Sequence, residues 1–396
     1  MVNEKMRMLG AKRSVIRELF EYGKKRKVEI GAENVYDFSL GNPSVPAPEA
    51  VKVALGELLE RDPVALHGYT SAQGDLGVRQ AIADYLNESY QVGANADCLY
   101  LTVGAAASLT ISLTALLHPD DEVIVLAPFF PEYTVFIERT GAKLVSVMSD
   151  PETFQPDFAA LERAITKKTR AIIVNSPNNP TGAVLTEESV IRLTDLLRAK
   201  EKANGEPIYL ISDEPYRELV YGDVKVPYLT NYYDNTVVCY SFSKSLSLPG
   251  ERIGYILVSP KMQDFVSVYQ AVCGAGRALG FVCAVSMFQY MIPKVLGKTS
   301  DISVYDKNRR LLYDALTEYG YFAVKPDGAF YLFVRALEED AVAFCERAKE
   351  YELLLVPSND FGCPGFVRIS YCVSTEQIEK SLPAFKKLAE SYGIKG

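Results

Sequence analysis

The 396-residue chain has only two histidines, His67 and His118, and no tryptophan. Two histidines cannot supply a three-histidine metal site within one chain. An enzyme built on a histidine base would have to use one of these two. Proton chemistry therefore falls to lysine, tyrosine, aspartate or a cofactor, and an aromatic platform falls to Phe or Tyr. Cysteine is sparse as well. Cys98, Cys239, Cys273, Cys283, Cys345, Cys363 and Cys372 include no Cys-x-x-Cys pair, which excludes zinc-ribbon, ferredoxin and thioredoxin motifs. Free thiols in a reducing cytoplasm are the expectation. Met1-Val-Asn-Glu-Lys-Met-Arg lacks the apolar core of a secretory signal, and no run reaches the ~18 apolar residues of a membrane span. Lys and Arg number 42 against 50 Asp and Glu, a net charge of −8 without a long basic run. Neither nucleic acid nor an anionic membrane is an expected partner. No internal repeat is visible, which argues against solenoids and propellers.

What is present is alternation. Short Val/Ile/Leu/Tyr-rich runs at Leu99–Val103, Glu122–Ala127, Lys143–Met148, Arg170–Val174, Ile208–Ser212, Thr236–Tyr240 and Gly254–Val258 read as strands covered on both faces. Amphipathic stretches lie between several of them, one being Glu187–Lys202 behind Thr186. Strand–helix alternation predicts an α/β fold with a mostly parallel seven-stranded sheet flanked by helices. After Cys283 the pattern changes. A helix over Asp301–Tyr319, a strand over Gly328–Val334, a helix near Glu338–Tyr351, strands at Leu353–Val356 and Phe366–Cys372 and a helix from Thr375 form a smaller α+β unit. The expected division is a large domain over 45–285 and a small domain from both chain ends, 1–44 and 286–396.

Four segments end candidate strands with chemistry-bearing residues. Thr102-Val-Gly104-Ala-Ala-Ala-Ser108 places small residues where a strand meets a helix, a natural cradle for phosphate, although an ordinary tight turn reads the same way. Asn175-Ser-Pro-Asn-Asn-Pro-Thr-Gly182 makes a rigid turn at the carboxyl edge, where open α/β sheets bind ligands, or a plain turn. Tyr209-Leu-Ile-Ser-Asp213-Glu-Pro-Tyr216 ends in an acid that can pair with a cation or cap a helix. Tyr240-Ser-Phe-Ser-Lys244, running on to Arg252 and Tyr255, sets a lysine just past an apolar strand among hydroxyls. A lysine desolvated near another cation has a lowered pKa and attacks carbonyls to form a Schiff base. Ser241, Ser243 and Arg252 are donors that suit a phosphate. A lone surface lysine is the bland alternative. Ser241-Phe-Ser-Lys244 also fits the S-x-x-K of penicillin-recognising enzymes, but their S-D-N and K-T-G elements are missing.

Together these segments resemble the class I/II aminotransferases of fold type I, the aspartate-aminotransferase-like superfamily, which use pyridoxal 5′-phosphate (PLP). The resemblance spans nearly the whole chain. It is carried by Ser241-Phe-Ser-Lys244, Pro249-Gly-Glu-Arg252-Ile-Gly254, Asn178-Asn-Pro-Thr-Gly182, Asp213-Glu-Pro-Tyr216 and Gly365-Phe-Val-Arg368-Ile-Ser370. It implies that Lys244 forms a Schiff base with the cofactor and shuttles a proton. It implies that Asp213 pairs with the pyridinium nitrogen, and that Tyr216 and Asn179 bond the ring 3′-oxygen. Gly104, Ala105 and Ala106, with Ser241, Ser243 and Arg252, would hold the phosphate. Phe130 would stack on the ring. Tyr69 would reach the phosphate of a neighbouring subunit, which implies a homodimer with shared sites. Arg368 would grip the substrate α-carboxylate beside Asn179 and Gly41. No metal ligand is implied.

The chain departs from the family pattern at Phe130, where Trp or Tyr is more usual, and at Tyr133, where some members have His. Ala105 and Ala106 replace polar residues, and Glu251 an aliphatic one. The implied reaction is ping-pong transamination of an L-amino acid with a 2-oxo acid. A carbon–sulfur β-lyase acting on cystathionine or cysteine is the alternative on the same scaffold. Arg277 stands where dicarboxylate-specific relatives bring in an arginine from the neighbouring subunit. It is thus a substrate-binding candidate, or simply a helix-surface arginine.

Overall fold

The computed structural model describes residues 2–11 and 14–394. Its centre is a seven-stranded sheet of β1 (Leu99–Thr102), β2 (Glu122–Ala127), β3 (Lys143–Met148), β4 (Thr169–Asn175), β5 (Tyr209–Asp213), β6 (Thr236–Ser241) and β7 (Gly254–Val258). The order is β1-β7-β6-β5-β4-β2-β3. Only β7 runs against its neighbours, β1 and β6; the other pairings are parallel. All seven strands expected from the apolar runs form, each within two residues of its expected bounds.

The residues of β2 show why a parallel sheet must be apolar on both faces. Val123 and Val125 pack on one side with Ile173, Ile211, Val237 and Ile256. Ile124 turns to the other side with Ile172, Leu210 and Leu193. On the first side lie the helices Ala105–Leu116 and Phe265–Ala278. On the other lies Glu187–Asn204, opened by the Thr186 hydroxyl accepting from the Ser189 N–H and closed by Gly205 in the left-handed region. Strands of period 2 buried on both faces bury nearly every side chain, which is the main apolar driving force here.

A second sheet, antiparallel, consists of β8 (Tyr331–Arg335), β9 (Val356–Pro357) and β10 (Phe366–Ser370), in the order β9-β10-β8. The strand expected at Gly328–Val334 starts three residues later. The one expected at Leu353–Val356 is split: Leu353–Leu354 pairs with Tyr36–Asp37, and Val356–Pro357 joins β10. The N-terminal helix Val15–Ile30 lies against this unit. Leu19 packs on Val356 and Phe361, and Arg26 pairs with Glu352 at 2.6 Å. Among the described residues no helix is long and apolar enough to cross a membrane.

The topology fixes where chemistry can sit. Asn175, Asp213 and Cys239 are register partners at the carboxyl ends of β4, β5 and β6. Gly254, the first residue of β7, pairs with both Thr102 and Ser241. The four motif segments therefore leave the sheet along one edge.

Candidate active site

Lys244 sits on the one-turn helix Phe242–Ser245 directly after β6. Ser241 opens that turn: its hydroxyl accepts from the Ser243 N–H at 3.2 Å and lies 2.7 Å from Ser243 Oγ. Lys244 Nζ donates to the Gly41 carbonyl at 2.7 Å and lies 5.4 Å from the centre of the Phe330 ring. Loss of hydration is the main influence on the amine. With Arg252 and Arg368 adding positive charge, it brings the pKa down to about 8.

Asp213 ends β5 in the interior. Its Oδ2 accepts from Tyr133 Oη at 2.5 Å, while Oδ1 is buried without a hydrogen-bond partner among the described residues. Burial pushes its pKa up to about 7, against the lowering effect of the Tyr133 hydrogen bond. The neighbouring acid is engaged elsewhere: Glu214 accepts from Arg217 Nε at 2.5 Å and from Ser212 Oγ at 2.6 Å. Phe130 stands edge-on to Tyr133, ring centres 5.7 Å apart.

Arg368 lies in the middle of β10 and is 3% exposed. Its Nη2 donates to the Ser39 carbonyl at 2.6 Å and Nη1 to Asn179 Oδ1 at 3.2 Å; Nε has no partner among the described residues. Asn179 is tied back to the sheet, because its N–H donates to Asn175 Oδ1 at 2.7 Å and Asn175 Nδ2 donates to the Asp213 carbonyl at 2.9 Å. Tyr216 Oη lies 2.9 Å from Tyr331 Oη. A Cβ at Gly41 would collide with that same Tyr331 hydroxyl.

Gly104 has φ +90°, and a Cβ there would lie 2.5 Å from Arg252 Nη2. It precedes the helix Ala105–Leu116, whose first turn no side chain caps. Ala105 is half-buried and Ala106 exposed. Arg252 Nη1 donates to Ser243 Oγ at 3.2 Å. An uncapped helix N-terminus, two hydroxyls and a guanidinium thus meet beside a glycine that lets them approach.

Two expected residues stand apart. Tyr69 is 93% exposed, and Arg277 is exposed on the helix Phe265–Ala278; neither hydrogen-bonds to this cluster. The residues that the sequence reading missed are Ser39, Phe330 and Tyr331. Tyr331 belongs to an apolar run that reads as core, and its hydroxyl partner is 115 positions away.

The family model "Aminotransferase class I and II" matches residues 32–385. The chain is 33% identical to an aspartate aminotransferase from Thermotoga maritima over 91% of this chain and 92% of that one. It is 30% identical to an aromatic-amino-acid aminotransferase from Thermococcus litoralis, covering 95% of each. A crystal structure of an amino transferase from Eubacterium rectale superimposes with a TM-score of 0.98 at 59% identity, covering 99% of both chains. The chain belongs to the class I and II aminotransferases, a family of PLP-dependent transaminases.

Proposed function

We propose that the cluster of Lys244, Asp213 and Arg368 binds PLP and moves an amino group from an L-amino acid to a 2-oxo acid in two half-reactions. The observation that carries this reading is Asp213, whose buried carboxylate has one oxygen held by Tyr133 and the other without a partner. A buried acceptor left unsatisfied costs roughly 1–3 kcal/mol, and a protonated pyridine nitrogen offsets that cost with a charge-assisted bond. The phosphate fits the opposite end, at the first turn after Gly104, with Ser241, Ser243 and Arg252 as donors. Phe130 offers the ring a stacking face, and Asn179 and Tyr216 offer hydrogen bonds to its 3′-oxygen.

Bound PLP supplies an aldehyde that takes up the amino nitrogen and a ring that withdraws electrons from it. The chain supplies the rest. Lys244, with its pKa near 8, presents a neutral amine in a useful fraction near neutrality and accepts a proton at Nζ. Arg368 offers its Nε–H and the neighbouring N–H at the edge of its planar fork to the α-carboxylate, where bidentate contact sets the substrate's orientation. Gly41 presents backbone without a side chain at the same place. The named relatives support amino transfer over the carbon–sulfur lyase alternative.

In this reading Tyr69 and Arg277, exposed within one chain, act on the site of a second copy in a homodimer. Tyr69 serves the phosphate and Arg277 a side-chain carboxylate of a dicarboxylic substrate. A loss in Arg277→Ala greater with aspartate than with alanine as donor supports that role, and equal losses exclude it. Two units are part of the proposal as well, 45–285 and 1–44 with 286–396. At the start of the second stretch, the helix Ser286–Val295 packs Met291, Ile292 and Val295 against Val51, Leu58, Ile82 and Leu86. Seven unpaired cysteines fit a cytoplasmic setting. The experiment is a screen of amino donors and 2-oxo acceptors with purified protein and added PLP. Matched consumption of donor and formation of a new amino acid supports the reading. Pyruvate release from cystathionine with no added oxo acid favours the lyase.

A further inference from the structure

Tyr331 touches three residues of the site and has no assigned part in it. Its hydroxyl is 2.9 Å from that of Tyr216, and the two rings meet edge-on with centres 5.7 Å apart. Its ring lies beneath the Arg368 guanidinium at 4.7 Å. Its hydroxyl fills the space that a side chain at position 41 would take, so Gly41 leaves room for it. Tyr331 and Tyr216 are 2% and 4% exposed.

Two buried phenols that share one contact have a limited set of arrangements. Burial raises the pKa of Tyr331 to about 12 and that of Tyr216 well above 10, so both hydroxyls keep their protons near neutrality. Each hydroxyl has a single proton to donate. If Tyr216 donates to Tyr331, its proton is used and it serves only as an acceptor. If Tyr331 donates to Tyr216, the Tyr216 proton is free for a third group. Tyr216 is the only hydrogen-bond partner of Tyr331 Oη among the described residues. With an acceptor beside Tyr216, the second arrangement satisfies both hydroxyls and the first does not.

We propose that Tyr331 is a positioning residue that donates to Tyr216 and thereby directs the Tyr216 proton to the 3′-oxygen of bound PLP. This inference rests on the reading of the site as a PLP site. A donor whose own oxygen accepts a hydrogen bond donates more strongly. Tyr331 therefore helps Tyr216 to stabilise negative charge on the ring oxygen, while its ring separately supports Arg368.

Tyr331→Phe removes the hydroxyl and keeps the ring. The measurement is the visible absorption of the PLP-loaded protein against pH, with thermal melting alongside. The apparent pKa of the visible band is expected to rise by about half a unit to one unit in Tyr331→Phe. It is expected not to move further when the same change is made in Tyr216→Phe. Gly41→Ala keeps the Tyr331 hydroxyl but crowds it, and shifts the band in the same direction. An unchanged or lowered pKa in Tyr331→Phe overturns the inference, even if the melting temperature falls. So does an equal shift in the Tyr216→Phe background. A wild-type protein that develops no visible band with PLP overturns the underlying reading, and this inference with it.

Discussion

Tyr133 donates a 2.5 Å hydrogen bond to one oxygen of Asp213, and the other oxygen of that buried carboxylate has no partner among the described residues. In the proposed site, that oxygen is where the cationic ring nitrogen would bind. Burial raises the Asp213 pKa from 3.8 to about 7, so the folded, cofactor-free protein keeps a proton that the unfolded chain releases. Stability should therefore fall as pH rises from about 4 to 7, and the deficit is fully present above 7. Asp213→Asn should stabilise the cofactor-free protein at pH 8 by on the order of 1–3 kcal/mol, with the gain vanishing near pH 4. Urea unfolding at the two pH values measures this. An equal gain at both would contradict it. With PLP added, the same variant should lose most of its turnover.

The amine of Lys244 gives a second pH signature. Its pKa is lowered from 10.5 to about 8, and only the neutral amine attacks a carbonyl. The rate of PLP uptake by cofactor-free protein should climb about tenfold per pH unit toward pH 8 and then level off. Stopped-flow absorbance reads this directly. A rate still climbing through pH 10 would mean an ordinary, hydrated lysine.

At the proposed phosphate end, Gly104→Ala combines an unfavourable positive φ with a Cβ placed 2.5 Å from Arg252 Nη2. It should weaken PLP binding by about tenfold or more and leave binding of pyridoxal, which lacks the phosphate, nearly unchanged. Equal weakening of both ligands would show that the turn shapes the site in general and does not hold the phosphate.

Arg368→Lys keeps the charge but loses the planar fork. KM for the amino acid should rise by roughly 10- to 100-fold, with PLP affinity retained. A KM unchanged in that variant would move the α-carboxylate elsewhere.

The sheet was readable because its strands are short apolar runs, most of them buried on both faces and ended by a turn residue or an acid; the edge strand Lys143–Met148 is the more exposed one. The site was readable where residues lie next to a strand end: Asp213, Ser241 and Lys244 each sit within a few positions of an apolar run. The antiparallel unit was harder. Leu353–Val356 reads as one strand, but its halves pair with residues 36–37 and 367–368, long-range choices that local pattern does not encode. Tyr331 was hidden for the same reason, since what makes it part of the site is Gly41, Tyr216 and Arg368, none of them near it in the chain. His67 and His118 are both exposed, in keeping with the proposal that Lys244 is the proton acceptor. Tyr133, noted only as a departure, proved to be the partner that holds Asp213.

The most direct test of the central claim is the visible absorption of purified protein mixed with PLP, for wild type and Lys244→Ala side by side. The wild type should develop a visible band, stable to gel filtration, that bleaches when an amino donor is added. Lys244→Ala should show neither that band nor turnover. A variant with the wild-type spectrum and rate would contradict the assignment of Lys244 and, with it, the account of this site.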